Sequence, residues 1–394
     1  MSETNPILAN VRQALSTVID PEIRRPITDL DMVDELAIDE AGVVQVTVLL
    51  TVAGCPLRNT IEEDVTAAVN KVPGVTGLKL EIGAMSAEQR AALTSKLRGG
   101  APQPVIPFAQ PGSLTRVIAV ASGKGGVGKS SMTVNLALDL AKQGFSVGLL
   151  DADIYGHSIP DLLGIPEDAR PTMVDSMIMP VPVEYVSADG KKAALKVISM
   201  GMLKESKDQV IAWRGPILDR ALTQLLAEVF WGDLDFFLID LPPGTGDVAM
   251  SIGQKLPGSD MIVVTTPQPS VAWVAERAGT MGSMLHQNVI GVIENMSWLE
   301  TACPHCGETH RVELFGTGGG QQTADALTDR LAHDVPLLTQ IPMDFALGAG
   351  AEINAPVVIA QPDSPAAVAI SSVAGHLVQT KPSVAGKPLS LITH

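Results

Sequence analysis

The chain has 394 residues and 46% hydrophobic content, enough for more than one domain with a real core. Its net charge of -16 argues against a nucleic-acid partner, which needs a basic footprint to displace counterions from phosphates. The N-terminus, MSETNPILANVRQAL, lacks a basic segment followed by an apolar core, and no apolar run is long enough to span a bilayer, so the expected setting is the cytoplasm with no membrane partner.

In chain order, helical periodicity over about 5–18, an alternating strand at Val43 to Thr51, a helical stretch near 59–71, a strand from Gly77 to Ile82 and a helix at 86–98 predict a small α+β domain over residues 1–98. Residues 99–114, GGAPQPVIPFAQPGSL, are rich in Pro and Gly and poor in charge, the composition of a linker. Beyond it, apolar runs at 116–121, 146–150, 196–200, 236–240, 261–266, 289–295 and 336–341 recur between helical segments. Short β-rich runs alternating with helices predict parallel strands buried on both faces, hence a doubly wound, mainly parallel α/β sheet over 115–375. Residues 376–394 are expected to form a loose tail.

Gly123-Lys124-Gly125-Gly126-Val127-Gly128-Lys129-Ser130 fits the G-x-x-x-x-G-K-[ST] frame, followed by Ser131. Glycines let backbone N–H groups turn inward around phosphates, while the last Lys and Ser reach the terminal phosphate and Mg²⁺. The context suits it, because the β-branched run Arg116 to Ala121 precedes the loop and a helical stretch from Ser130 to Gln143, closed by Gly144, follows. A helix N-terminus is thereby aimed at the phosphates.

Asp151 and Asp153 follow the second apolar run, two residues apart, a spacing that on an extended chain points both carboxylates one way. Asp240 ends FFLID and is followed by LPPGTGD up to Asp247. Carboxylates at strand ends beside a phosphate loop supply hard oxygen ligands for Mg²⁺ and a group to position an attacking water.

With these residues the chain resembles the deviant Walker A ATPases, the group of the nitrogenase iron protein and the septum-positioning and plasmid-partition ATPases. The resemblance implies that Lys124 reaches across a homodimer to the partner's nucleotide and that Asp153 positions the attacking water. It further implies that Asp151 supports Mg²⁺ and water, that Asp240 is the Walker B carboxylate, that Gly244 lies near the γ-phosphate, and that Asn295 and Pro342 hold the adenine of ATP.

Cys303-Pro304-His305-Cys306-Gly307 places two thiolates on a tight turn, suited to gripping one metal ion or cluster iron. Two ligands do not close a tetrahedral site. Within one chain only Cys55, His305 and His310 could add to them, whereas a two-fold dimer brings two pairs together. Four thiolates suit zinc or an iron–sulfur cluster, and spacing does not choose between them; a redox dithiol is a third reading.

DADIYGHSIP from Asp151, WRGP from Trp213, LPPGTGD from Leu241, TTPQ from Thr265, ENMS from Glu294, the cysteine pair followed by Phe315-Gly316, and Ile341-Pro342 together resemble the Mrp/ApbC iron–sulfur carrier ATPases across nearly all of residues 113–375. His157 stands where that family usually has proline. The N-terminal motifs, Asp20-Pro21-Glu22, PITDL from Pro26 and TVAGCP from Thr51, resemble a small metal–sulfur cluster assembly domain. There Cys55 either assists cluster or partner binding or is simply a half-buried loop cysteine. The resemblance implies a P-loop NTPase fold, ATP and Mg²⁺ as cofactors, and a 4Fe-4S cluster held between Cys303 and Cys306 of two chains. It also implies apoprotein recipients and cluster scaffold proteins as partners. A zinc-bridged regulatory NTPase and a partition or septum-positioning ATPase are the alternatives.

Overall fold

The computed structural model describes residues 6–20, 25–50, 58–86, 105–110, 112–154, 156–174, 177–203, 215–347 and 355–380, with isolated positions between 88 and 96. Cys55, Trp213, Arg214 and the expected tail beyond Thr380 lie outside the described residues. The chain divides into two compact units, one of residues 1–104 with 210–221 and one of 105–209 with 222–394.

The first unit holds α1 (Pro6–Leu15), β1 (Val33–Ile38), β2 (Val43–Leu50), α2 (Arg58–Val69) and β3 (Gly77–Ala84). Its sheet runs β1-β2-β3, with β1 antiparallel and β3 parallel to β2. Val44, Val46, Val48 and Leu50 alternate along β2 and are buried, the period-two pattern of a strand with one covered face. Ile61, Val65 and Val69 of α2 recur every four residues and join the same core. The β1 strand was not evident from the chain's hydropathy, because its burial pattern is broken by exposed Asp34, Glu35 and Ala37.

The second unit is built on an eight-stranded sheet. Its strands are β4 (Arg116–Ser122), β5 (Val147–Asp151), β6 (Val181–Val186), β7 (Lys192–Ser199), β8 (Phe236–Asp240), β9 (Asp260–Thr265), β10 (Asn288–Glu294) and, after a hairpin, β13 (Leu337–Gln340). The hairpin is β11 (Leu299–Ala302) with β12 (Thr309–Val312). The order across the sheet is β13-β10-β9-β4-β8-β5-β7-β6, all parallel except the antiparallel edge strand β6. Each of the seven predicted apolar runs forms a strand of this sheet. β6 escaped the sequence reading because it alternates half-buried and exposed residues and contains Pro182, tolerable at an edge.

Successive residues of the central strands serve opposite faces. Ile118, Val120, Leu149, Phe236 and Leu238 share one core with Leu136, Leu138 and Leu140 of α3 (Lys129–Lys142) and with Ile370, Val373 and Leu377 of the last helix, Pro365–Gln379. That helix carries ordered structure four residues past the expected end of the domain at 375. On the other face, an added Cβ at Gly282 of the helix Pro269–Met284 would collide with Met261 of β9, and one at Gly279 with Leu327 of the helix Gly319–Leu331, which is why the helix interior tolerates glycine there. The second half of the expected linker is anchored: Phe108, in a short turn Pro107–Ala109, stacks on Phe237 with ring centroids 4.5 Å apart.

Candidate functional site

The phosphate loop leaves the carboxyl end of β4, the position at which ligands bind in open α/β sheets. Gly126 and Gly128 have φ of +80° and +84°, a left-handed backbone that residues with a Cβ rarely adopt. Gly123 serves a different need. A Cβ there would come within 2.4 Å of the backbone of Val274 and Ala275, so the helix Pro269–Met284 braces the loop from behind. Lys124, Gly125 and Gly126 are exposed, while Gly123, Val127 and Lys129 are buried and Gly128, Ser130 and Ser131 are half-buried.

Several polar side chains of the loop and of α3 converge on Asp240, which is fully buried at the end of β8. Lys129 Nζ lies 2.6 Å from Asp240 Oδ2, and Ser130 Oγ donates to the same oxygen at 2.6 Å. Thr133 Oγ1, one turn further along α3, sits 2.7 Å from Asp240 Oδ1 and 2.9 Å from the Lys129 carbonyl, so its single proton is shared between two acceptors. Asp151 is the parallel-register partner of Asp240 on the adjoining strand. Burial, and then the neighbouring Asp240 carboxylate, push the Asp151 carboxyl up to about 8. Ser199, at the end of β7, donates to Asp151 Oδ2 at 2.9 Å.

Asp151 and Asp153 are not side by side on an extended chain. β5 ends at Asp151, whose Oδ1 accepts the Asp153 N–H at 3.1 Å, and Asp153 Oδ1 in turn accepts the Gly156 N–H at 2.8 Å. The buried carboxylates need donors, and the turning backbone supplies them, as in an Asx turn. His157, the departure from the family's proline, lies against Gly201 so closely that a Cβ at Gly201 would strike its ring.

Of the remaining predicted residues, Gly244 and Asn295 bond to the loop or its base. Gly244, at φ +87°, donates its N–H to the Ser122 carbonyl at 2.8 Å and so ties the LPPGTGD segment to the base of the loop. Asn295 Nδ2 donates to the Val127 carbonyl at 3.0 Å, and its buried Oδ1 has no partner among the described residues. Pro342 is buried beside it in the chain path, where Ile341 N–H donates to the Glu294 carbonyl and Ser297 N–H to the Ile341 carbonyl. Thr133 and Ser199 were not singled out from the sequence, and Glu294 was named there only as the start of the ENMS motif, with no role at the site. Glu294 is buried and accepts from Ser297, Gln340 and the Gly320 N–H, fixing the segment that carries Asn295. A Ser or Thr four residues into the helix or at a strand end carries no signal of its own without the sheet order.

Cys303 and Cys306 sit in the turn between β11 and β12, half-buried and exposed respectively. Backbone N–H groups of Cys306 and His305, and then the Cys306 side chain, hold the Cys303 thiol below its usual range. Cys303 is therefore inclined to the thiolate form, as a metal or cluster ligand must be, and Cys306 beside it is open to solvent.

Comparison with known proteins identifies the family. Residues 113–378 match the model of the NUBPL iron-transfer P-loop NTPases, and residues 8–80 match that of an iron–sulfur cluster assembly protein. The chain is 49% identical over 383 residues to the iron–sulfur cluster carrier protein of Mycobacterium tuberculosis, covering 97% of this chain and 96% of that one. It is 36% identical to the carrier protein of the cyanobacterium Synechocystis, covering 92% and 95%. A solved nucleotide-binding protein from Archaeoglobus fulgidus in complex with ADP is 36% identical, with a TM-score of 0.48 over 61% of this chain and 86% of that one. No described helix is long and apolar enough to cross a membrane. A phosphate loop wired to strand-end carboxylates, a cysteine pair on a surface hairpin, and matches over almost the whole length together show that the chain belongs to the iron–sulfur cluster carrier family of P-loop NTPases, an ATP-hydrolysing family.

Proposed function

We propose that the protein is a homodimeric, ATP-dependent carrier that receives an iron–sulfur cluster, holds it as 4Fe-4S between Cys303 and Cys306 of two chains, and passes it to apoproteins. The observation that carries this reading is the presence, in one compact unit, of a phosphate loop joined to Asp240 and a pair of cysteines, one half-buried and one exposed, on a short hairpin. One pair of cysteines leaves a cluster half-liganded, and a two-fold axis doubles it.

In this reading Gly123 to Ser131 cradle the phosphates, Gly244 borders the γ-phosphate, and Asn295 and Pro342 receive the adenine, where the unpartnered Asn295 Oδ1 matches an exocyclic amine. Ser130, Asp151 and Asp240 fit Mg²⁺ as a compact oxygen set at the loop, and the ion when bound neutralises phosphate charge. Lys129, now on Asp240, exchanges a carboxylate for phosphate oxygens. Asp153 orients the attacking water, and the exposed Lys124 adds charge across the dimer. Nucleotide state changes how the two chains meet and hence how the cluster is held, because a ligand shifts a conformational equilibrium only through differential affinity.

Anaerobic reconstitution with iron and sulfide tests the cargo site. Wild-type protein should take up one cluster per dimer and transfer it to an apoprotein, and Cys303→Ala/Cys306→Ala protein should do neither. Uptake of the same stable cluster by the double variant, or protein purified without oxygen that holds zinc in preference to iron and transfers no cluster to an apoprotein, would overturn the assignment.

A further inference from the structure

The hairpin that presents the two cysteines also presents an imidazole. Its ladder pairs Thr301 with His310 and Ala302 with Thr309. Cys303 N–H donates to the Glu308 carbonyl at 2.8 Å, and Gly307 N–H returns to the Cys303 carbonyl at 2.9 Å. Gly307 takes φ of +75°, which lets the chain turn this tightly. As a result Cys303 Sγ, Cys306 Sγ and a ring nitrogen of His310 all lie within 4.8 Å of one another.

Around one tetrahedral ion, two sulfurs and a nitrogen stand roughly 3.5–4 Å apart, given metal–ligand bonds of about 2.0–2.3 Å. The observed spread is within reach of rotamer adjustment by surface side chains. The strand that positions His310 is held in register by its neighbour Arg311, which pairs with Glu300 at 3.2 Å and lies 4.3 Å over the Trp298 ring. Glu308 adds a carboxylate 3.8 Å from Cys306 Sγ, a negative charge beside the three donors.

We propose that a single chain binds one divalent metal ion of borderline softness, ferrous iron or zinc, through Cys303, Cys306 and His310. Two thiolates and an imidazole select such ions over Mg²⁺ or Ca²⁺, and three protein ligands leave a fourth position open. Cys306 and His310 are exposed, so the ion can enter and leave without opening the fold. The inference rests on the hairpin being the cargo site and adds a one-chain state to it. With two chains four thiolates hold the cluster; with one chain His310 supplies the third ligand.

The test is Co²⁺ titration of the full-length, reduced protein without nucleotide, followed by visible absorption and by sedimentation. Wild-type monomer should bind one Co²⁺ per chain with thiolate charge-transfer bands. His310→Ala should weaken binding roughly tenfold or more, since even partners that only support a ligand are worth that much. His310→Cys should restore one ion per chain with a stronger charge-transfer band, and it guards against a folding defect in the alanine variant. Unchanged affinity and spectrum in His310→Ala, or one ion per two chains in the wild type, would overturn the proposal. Cluster reconstitution separates the two readings. A wild-type chain that takes up cluster but binds no ion alone sinks this site and spares the carrier role, and one that binds Co²⁺ but takes up no cluster does the reverse.

Discussion

Asp240 and Asp151 are register partners at the carboxyl ends of adjacent parallel strands, both fully buried. Two carboxylates so placed cannot both be charged without compensation, and Lys129 offers a single positive charge, on Asp240. Asp151 is therefore the member that holds a proton when no divalent ion is present, consistent with its carboxyl being pushed up to about 8.

Stability of the nucleotide-free and metal-free protein should accordingly depend on pH through this group. The folded pKa lies above the ordinary carboxylate value of 3.8, so between the two the native state binds more protons than the unfolded state. The contribution is fully present below about pH 4 and is lost as pH rises through about 8. Melting temperature measured from pH 5 to 9 should fall, and Asp151→Asn, which keeps shape without the titration, should fall less steeply. Parallel curves for the two proteins would show that Asp151 does not carry the effect.

Gly123→Ala is expected to damage both fold and binding. Its Cβ would meet backbone atoms of Val274 and Ala275 at 2.4 Å, and a helix backbone cannot rotate away as a side chain can. Overpacking of this kind costs about 1–3 kcal/mol, a drop of roughly 2–4 °C per kcal/mol for a domain of this size. ATP affinity should fall with it, because the brace behind the loop moves. A variant that melts and binds ATP like the wild type would refute the brace.

Lys124 and Lys129 share one loop but differ in environment, one exposed and the other 6% exposed against Asp240. Among the described residues no ion pair engages Lys124, which leaves its charge available to a second chain. Lys124→Ala should retain nucleotide binding through Lys129 while losing turnover by about 10²–10³, the scale of removing one preorganised transition-state contact. Equal losses in affinity and turnover, measured by calorimetry and phosphate release, would place Lys124 in ground-state binding instead.

The strands that position this site were legible because buried parallel strands read as unbroken apolar runs, as in Phe236 to Ile239. The loop glycines and Asp240 were legible because a backbone that must turn around phosphate accepts few residue types. Elements half in solvent left no such trace, as β6 and the β11–β12 hairpin show with their exposed or alternating positions. Asp151 and Asp240 could be picked out separately, but their pairing depends on sheet order: residues 89 apart in sequence are neighbours only because β8 lies between β4 and β5. Ser199 and Thr133 were hidden for the same reason, since a hydroxyl acquires meaning only from the carboxylate it faces.

Thr133 gives that last point a measurable form. Its hydroxyl is wholly buried, and it is the side chain 2.7 Å from Asp240 Oδ1, while Lys129 and Ser130 occupy Oδ2. Thr133→Val removes a donor at nearly constant shape and leaves a buried acceptor short of a partner, at a cost of about 1–3 kcal/mol. Asp240 also becomes freer to rotate, so the Mg²⁺ concentration giving half-maximal ATP hydrolysis should rise. Thr133→Ser retains the hydroxyl and should recover the Mg²⁺ dependence even where its missing methyl lowers the melting temperature. If the valine variant keeps the wild-type Mg²⁺ dependence, the hydroxyl does not orient Asp240. If only the valine variant shifts, the bond from α3 sets the carboxylate on which the loop, the ion and Asp151 all depend.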